Sequence, residues 1–400
     1  MLGREDAWAL IAARARALEA EIVGLDAAAG RVLATAVTSP IDIPGFDRSA
    51  MDGYALRAQD TSSPPTRLQL VGEVPAGAAG DFPIGPGECA RIFTGGALPP
   101  GADAVERQEV VVDLGDGCVD IDHHVAPATN VRFRGEDVAA GTELLGAGER
   151  LGPHTLTAVA AAGLAEVAVF RRPRVAILAT GDELVPAGEP LGPGQIHESN
   201  SVTLRALVIR AGAECVDLGT APDDAEEIEA RVRRGLAEAD VLLVAGGVSV
   251  GAHDHVKGAL DRTGVEELFW RVRVKPGKPL FCGVTGGGGW AFGLPGNPLS
   301  GVVSFLVFVE PLLRRLAGQT DAAEARVRVR TTREIAPEDG RTTYLTATLA
   351  PGEDGIPLAT PTEQQGSAMT LALARANAFI VAPHTSPSVP AGGLVDALLL

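Results

Sequence analysis

The chain has few cysteines, few aromatic residues and no long apolar run, and each shortage excludes a class of protein. Aromatics supply 4% of residues, and the four cysteines are scattered without a CxxC pair, so reduced thiols are expected rather than a disulfide scaffold. The longest apolar stretch, residues 302–309 (VVSFLVFV), is far shorter than the ~20 residues that cross a bilayer. The first residues, MLGREDAW, carry acids where a signal peptide needs basic and then apolar residues. We therefore expect a cytoplasmic protein with no membrane segment.

Positive charge is also scarce. The 34 basic residues against 51 acidic ones give a formal net charge of −17 and a pI near 4.9. A general nucleic-acid binder needs a basic face, and an anionic membrane surface attracts basic segments, so neither partner is expected. An anionic small ligand would need local cations or a bridging metal.

Common enzyme signatures are missing as well. The sequence contains neither GxxxxGK[ST] nor a GxGxxG that opens a helix after a strand, which argues against a Walker ATPase and a standard dinucleotide binder. His253 and His255 flank Asp254, but this spacing is not typical of a zinc site.

What the chain has is glycine (49 residues) and 46% apolar residues, enough for substantial cores in two to four domains. The pattern predicts a multidomain chain of class α/β plus all-β. Its predicted parts are a linking amino-terminal domain (1–45 with 141–173), a β-rich domain (46–140), a doubly wound α/β domain (174–320) and a carboxy-terminal, β-barrel-like domain (321–400).

Strand and helix patterns alternate in the predicted α/β domain, which favours a parallel sheet with right-handed crossovers. The predicted strands are 175–180, 214–219, 241–247, 269–279 and 290–295. The predicted helices are 199–211, 225–239, 256–264 and 299–318.

Each predicted strand runs into a polar or glycine-rich loop. In chain order these loops contain Glu183, then Asp223 and Asp224, then Ser249 and Asp254, then Lys275 and Lys278, and finally Asn297 between Pro295 and Pro298. A single acidic pair after a strand is as typical of a helix cap as of a ligand site. Because ligands of doubly wound sheets bind at the carboxyl ends of the strands, five such loops on one edge indicate a binding crevice.

The loops indicate the chemistry of the ligand. Gly246 and Gly247 lack side chains, so backbone N–H groups there can approach a phosphate. The LPGNP loop leads into a helix start, which favours an anion. Aspartates beside a phosphate call for Mg²⁺ or a similar hard cation between them.

A local cationic surface is predicted in the run FWRVRVKPGKP. The two-residue period of a strand would place three basic residues on one face, with Lys278 nearby: Arg271, Arg273 and Lys275. A solvated edge strand is the alternative interpretation.

A second dense segment is DIPGFDRSAMDGYAL, residues 42–56. Its proline, glycine and Asp-Gly are turn formers, yet Asp47, Arg48, Ser49 and Asp52 crowd into six positions. Segments 91–103, 131–141 and 363–377 likewise hold polar residues between glycines.

Seven segments together resemble the MoeA-type molybdopterin molybdenumtransferases, which are related to the E domains of the plant Cnx and gephyrin proteins. In order they are DIPGFDRSAMDGYA, RIFTGGALPPGADAVERQE, RGEDVAAG, ATGDEL, GGVSVGAHD, VKPGKP and GLPGNPLS. The resemblance covers essentially the whole chain and is weakest in the last 80 residues. The GGVSVG segment alone is shared with the MogA-type adenylyltransferases.

The resemblance implies insertion of molybdate into the dithiolene of adenylylated molybdopterin, with hydrolysis of the adenylate and release of AMP. It also implies an elongated homodimer in which the β-rich domain of one subunit borders the α/β domain of the other. Transient contacts with the adenylyltransferase and with recipient molybdoenzymes follow from the same role.

The resemblance also assigns residues. The active-site group that it implies is Asp52, Thr94, Asp137, Glu183, Asp223 and Asp254. It places ligand positions on Lys275, Lys278, Pro279, Pro295, Pro298, Arg341 and Ser367, and the loops after the predicted strands add Gly246, Gly247, Ser249 and Asn297. We expect Mg²⁺ to be held by Asp254, Asp223 and Glu183, and molybdate by Lys275, Lys278, Arg341 and Ser367. A lysine of some family members is Arg271 here, which keeps the charge and changes the donor geometry.

Two alternatives differ in class. An adenylyltransferase would leave residues 1–173 without a role, and a non-catalytic scaffold would have no need for the retained carboxylates.

Overall fold

The structure is a computed structural model that describes residues 1–247, 255–320, 326–338, 340–353 and 355–400. Within these ranges, three six-stranded sheets hold most of the β-structure. No helix in the same ranges is both long enough and apolar enough to cross a bilayer.

The chain up to residue 173 is mostly short strands. In order its elements are α1 (Arg4–Arg14), β1 (Ala20–Gly24), α2 (Leu25–Ala28), β2 (Val37–Thr38), β3 (Arg48–Ser49), β4 (Gly53–Leu56), β5 (Thr66–Val74), β6 (Glu88–Ile92), β7 (Ala104–Arg107), β8 (Val112–Asp113), β9 (Cys118–Ile121), β10 (Val131–Arg132), β11 (Glu143–Leu145), α3 (Pro153–Ala161) and β12 (Glu166–Phe170). β1 and β12 pair antiparallel, which returns the chain to its amino-terminal segment after the excursion through β3–β10.

The first six-stranded sheet has the order β7-β4-β6-β5-β9-β8. Its buried side chains, among them Leu56, Leu68 and Val119, form a core of their own. Residues 104–114 form the two short strands β7 and β8 with a 3₁₀ turn between them.

The next part of the chain alternates strands and helices. Its elements are β13 (Arg174–Thr180), β14 (Leu184–Val185), β15 (Ile196–His197), α4 (Asn200–Arg210), β16 (Glu214–Ala221), α5 (Ala225–Glu238), β17 (Val241–Ala245), α6 (His255–Arg262), β18 (Val265–Trp270), β19 (Val274–Lys275), β20 (Phe281–Thr285), β21 (Trp290–Leu294), α7 (Pro298–Ser304) and α8 (Glu310–Leu316).

The sheet in this region has the order β16-β13-β17-β21-β20-β18. The strands β16, β13, β17 and β21 are parallel, whereas β20 and β18 are antiparallel, so the sheet is mixed at one edge. α4 and α7 pack on one face, and α5 and α6 on the other. This arrangement is the predicted doubly wound one, because buried parallel strands need helices on both faces.

Two predicted elements are interrupted. The strand expected over 269–279 breaks at Arg271, whose φ of 76° is left-handed, so β18 and β19 belong to different sheets. The helix expected over 299–318 contains a π-helical segment, Phe305–Val309, between α7 and α8. Every side chain of that segment is buried, which explains its unbroken apolar sequence.

The carboxy-terminal elements are β22 (Arg326–Thr331), β23 (Thr342–Ala350), β24 (Leu358–Pro361), α9 (Thr370–Arg375), β25 (Ala378–Ala382) and β26 (Leu394–Leu399). Among the described strands, β23-β24-β22-β26-β25 close into a barrel through the β23–β25 pairing. β19 extends the sheet by pairing parallel with β23. The fold class predicted from the sequence, α/β plus all-β with a barrel-like end, is confirmed.

Candidate functional site

A cleft of about 480 Å³ lies at the carboxyl ends of the parallel strands β13, β16, β17 and β21. The loops that follow these strands form its wall. Eight residues singled out from the sequence line it: Glu183, Asp223, Gly246, Gly247, Pro279, Pro295, Asn297 and Pro298. They come together because parallel strands end on the same edge of a sheet.

The glycine pair after β17 is required by close packing. Gly246 and Gly247 have φ of 98° and 64°. A Cβ on Gly246 would lie 2.7 Å from the carbonyl oxygen of Thr180, and a Cβ on Gly247 would lie 2.5 Å from Cγ2 of Val256. Any larger residue would therefore collide, so this turn keeps its backbone at the wall of the cleft.

Two carboxylates project from the neighbouring loops, and both are exposed: Glu183 and Asp223. The backbone N–H of Asp223 donates to Oδ1 of Asp182 at 3.0 Å, which fixes the loop after β16. Asp224 is instead the cap of α5, where its carboxylate accepts from the N–H groups of Glu226 and Glu227.

One or two carboxylates together with phosphate oxygens and water are the donor set that Mg²⁺ prefers. Glu183 and Asp223 match that set. The described ranges contain no cluster of three or more His, Cys, Asp or Glu that could hold a metal. Asp254 and Ser249 lie outside the described residues.

The turn after β21 connects the cleft to the carboxy-terminal part of the chain. Asn297 donates from Nδ2 to Oγ of Ser367 at 3.0 Å, and the N–H of Leu299 donates to the Ser367 carbonyl oxygen at 3.2 Å. On the other side, Nδ2 of Asn200 donates to the carbonyl oxygen of Gly296 at 2.8 Å. The structure therefore brings Ser367 to the edge of the cleft, and it adds Asn200, which lacked any sequence signal beyond a helix start.

Two of the predicted cations, Lys275 and Arg341, lie where β19 pairs with the barrel strand β23, and neither lines the cleft. Lys275 forms an ion pair with Glu338, and the N–H of Arg341 donates to the Glu338 carbonyl oxygen at 3.0 Å. Lys278 is exposed and directly precedes Pro279 of the cleft wall.

The predicted basic face on one strand is wrong. The positive φ of Arg271 interrupts the alternation, and its guanidinium lies 4.8 Å from the Trp270 ring centroid. Nε of Arg273 donates to the Met1 carbonyl oxygen at 2.9 Å, while Lys275 belongs to the strand that pairs with β23. The three side chains therefore have different surroundings.

A second polar cluster lies in the first sheet. Oδ1 of Asp52 accepts from the N–H and from the hydroxyl of Thr94, each at 2.8 Å. The N–H bond and then the hydroxyl bond lower the pKa of Asp52 below its usual range, with a smaller electrostatic contribution from Arg91. The Arg91 guanidinium lies over Tyr54 at 4.9 Å and over Phe93 at 5.5 Å. Arg91 was not among the sequence candidates.

Asp137 lies on an exposed loop that is tied to the segment before β3. Its N–H donates to the Ile43 carbonyl oxygen at 3.0 Å. Asp42 fastens the same loop, because it accepts from the N–H of Ala140 at 2.8 Å and from Nε of Arg134 at 2.5 Å. The bond from Ala140 lowers the pKa of Asp42 most, and the bond from Arg134 lowers it further.

The pairing of β3 with β10 joins the Asp137 loop to the Asp52 side of the sheet. Among the described residues, none from 46–140 lines the cleft. Within one chain, the structure therefore places Asp52, Thr94 and Asp137 apart from the cleft.

Comparison with known families matches almost all of the chain. Residues 2–163 match the "MoeA N-terminal region (domain I and II)", residues 176–315 a "Probable molybdopterin binding domain", and residues 328–400 the "MoeA C-terminal region (domain IV)".

Individual proteins agree with these matches. A molybdopterin molybdenumtransferase of Haemophilus influenzae is 36% identical over 378 residues, covering 94% of this chain and 93% of its own. One from a Nostoc species is 38% identical over 389 residues, covering 96% and 88%. The crystal structure of a molybdopterin biosynthesis MoeA protein from Pyrococcus horikoshii superimposes with a TM-score of 0.84 at 33% identity, covering 100% of this chain and 99% of that one.

Proposed function

Because this chain belongs to the MoeA family, we propose that it is a molybdopterin molybdenumtransferase. It inserts molybdate into the dithiolene of adenylylated molybdopterin and releases AMP and molybdenum cofactor. The observation that carries the proposal is the cleft in which the Gly246–Gly247 turn, two carboxylates and the 295–298 turn meet, with Lys278 directly before the cleft residue Pro279.

The phosphate end of the substrate is assigned to the loops after β13, β16 and β17. The Gly246–Gly247 backbone can approach a phosphate closely, since no side chain intervenes. Glu183 and Asp223 would hold Mg²⁺ there, with Asp254 completing the set by family resemblance. When bound, the metal offsets the negative charge of the phosphate against the carboxylates.

The molybdate end is assigned to the edge next to the barrel. Lys275, Lys278 and Arg341 supply positive charge, and Ser367 supplies a hydroxyl donor. Glu338 neutralises part of that charge, which favours a small oxyanion over a larger polyanion at this edge. Pro279, Pro295 and Pro298 give the surrounding turns a fixed backbone.

We propose that the chain forms a homodimer in which three residues of one copy reach the cleft of the other: Asp52, Thr94 and Asp137. Support comes from exposed apolar side chains on both surfaces that the dimer would cover. Beside the acidic loops these are Ile41, Phe46, Met51 and Phe133, and beside the cleft they are Ile196 and Val202. Large apolar side chains clustered on a surface mark contacts between proteins.

A mixing experiment tests the two-copy site. Differently tagged D52A and D223A chains are coexpressed, and the mixed dimer is isolated. If Asp52 acts across the dimer, one of the two sites carries both substitutions and the other is intact, so about half of the wild-type activity returns. If Asp52 acts within its own chain, both sites of the mixed dimer are defective and activity stays at the level of the single variants.

The activity itself is tested by incubating purified protein with adenylylated molybdopterin, molybdate and Mg²⁺. We expect molybdate-dependent release of AMP, together with cofactor that activates a molybdenum-free recipient enzyme. Absence of AMP release would contradict the proposal and favour a scaffold. Formation of adenylylated molybdopterin from ATP and molybdopterin would instead indicate the adenylyltransferase. Cytoplasmic location and transient contacts with the supplying and recipient proteins belong to the same proposal.

A further inference from the structure

Two hydroxyl groups beneath the cleft loops are buried without a hydrogen-bond partner in the described part of the chain. They are Oγ1 of Thr180, a residue 5% exposed, and Oγ of Ser304, which is 1% exposed. A buried hydroxyl without a partner has lost its hydrogen bonds to water and has formed none with the protein. This costs free energy, so such groups are rare in folded proteins. These two therefore call for an explanation.

Each hydroxyl lies directly under a glycine turn of the proposed site. A Cβ on Gly247 would lie 3.0 Å from Oγ1 of Thr180, and a Cβ on Gly277 would lie 3.0 Å from Oγ of Ser304. Gly247 belongs to the turn assigned to the phosphate. Gly277, with φ of 118°, lies between the two lysines assigned to molybdate.

The fold places each hydroxyl at the end of a rigid element. Thr180 is the last residue of β13, whose parallel neighbour β17 ends immediately before the Gly246–Gly247 turn. Ser304 is the last residue of α7 and directly precedes the π-helical segment. π-Helical insertions occur frequently at functional sites.

We propose that Thr180 and Ser304 are positioning residues for anion binding. Each hydroxyl forms a hydrogen bond with the backbone of the glycine turn above it when that turn takes up its anion. The bond satisfies a group that is otherwise unpaired, so the turn conformation that holds the anion is favoured over the others. This inference rests on the proposed function: Thr180 serves the adenylate phosphate, and Ser304 serves molybdate.

The variants T180V and S304A remove one hydroxyl each with little change in volume. We expect T180V to raise the KM for adenylylated molybdopterin about tenfold and to leave the KM for molybdate unchanged. We expect S304A to raise the KM for molybdate about tenfold and to leave the KM for adenylylated molybdopterin unchanged. A factor of ten corresponds to about 1.4 kcal/mol.

Stability gives the second readout. Neither variant should melt below the wild type when no substrate is added, because each loses an unpaired group. T180S, which keeps the hydroxyl, should recover the wild-type KM. The matched control is T61V: the Thr61 hydroxyl is also fully buried, but it donates to the Ala58 carbonyl oxygen and accepts from the N–H of Val125. That variant should melt lower with both KM values unchanged.

The outcomes separate this inference from the proposed function. Wild-type protein that releases no AMP overturns the proposed function and the inference with it. Active wild type with unchanged KM values in T180V and S304A overturns the inference alone. So does a pair of variants that melt lower and show no substrate-specific change in KM.

Discussion

The carboxylate of Asp240 joins the linking segment to the doubly wound sheet, and its removal gives a stability change that can be worked out. Its oxygens accept from the Arg171 guanidinium at 2.6 and 2.7 Å and from the N–H of Arg174 at 2.8 Å. The side chains of Asp240 and Arg171 are 18% and 25% exposed. Exposed pairs contribute ~0–1 kcal/mol, and breaking fully buried pairs costs ~3–5 kcal/mol. For this intermediate exposure we expect D240N to lower the free energy of unfolding by about 2 kcal/mol.

The assay is thermal unfolding of D240N and wild type across pH. For a cooperative unit of 150–250 residues, about 2 kcal/mol corresponds to a fall in Tm of roughly 4–8 °C. The matched control is E238Q, whose partner Arg234 forms an exposed pair on a helix; its Tm should change by less than about 2 °C.

The pH dependence gives an independent check. Burial raises the pKa of Asp240, but the hydrogen bonds from Arg171 and from the Arg174 backbone outweigh it and hold the pKa below the usual 3.8. The stabilisation is therefore complete above pH 3.8 and is lost as the pH falls through the lower pKa of the folded state. The Tm difference should be constant near neutrality and shrink in acid. Equal Tm values at pH 7, or a difference that is the same at every pH, would refute this reasoning.

Two further predictions concern other parts of the chain. The hydrogen bonds to Asp122 and then to Glu106 raise the pKa of His123. Protonated His123 therefore stabilises the fold fully below pH 6.5, the pKa of the unfolded chain, and this stabilisation is lost as the pH rises through the raised pKa of the folded state. H123Q should therefore flatten the fall in Tm between neutral and alkaline pH, measured by calorimetry; an unchanged slope would contradict the assignment. G247A should cost at least ~1 kcal/mol, because alanine is strained at a φ of 64° and its Cβ would meet Val256. Its Tm should fall and AMP release should drop, whereas a fully active and stable G247A would show that the turn tolerates a side chain.

The regular elements of the doubly wound region follow closely from the sequence. The bounds of β13 and α5 were predicted to within one residue. The prediction was close because the strand is continuously apolar and the helix begins at a capping aspartate, Asp224. The antiparallel β20 was not anticipated, because Phe281–Thr285 follows the KPGKP loop without a signal that separates the two. The left-handed conformation of Arg271 had no local signature either, as its neighbours alternate like a regular strand.

The cleft was predictable for a topological reason, whereas the second cluster was not. Loops after parallel strands share one edge, so Glu183 and Asp223 could be placed together without coordinates. Asp52 and Thr94 were proposed through family resemblance, since their hydrogen bond joins loops that no periodicity relates. Arg91 was not singled out, because Tyr54, on which it stacks, is its partner on the neighbouring strand β4 and lies far from it in the sequence.

The short strand β19 has a consequence for how the site can move. Its residues Val274 and Lys275 are covalently continuous with the edge of the doubly wound sheet, yet they form part of the barrel's hydrogen-bonded network through Thr342 and Thr343. Because β19 pairs with β23, Lys275 is held in the hydrogen-bonded network of the barrel and not in that of the doubly wound sheet. The distance between Lys275 and the barrel therefore stays constant when loops at the cleft adjust to a substrate.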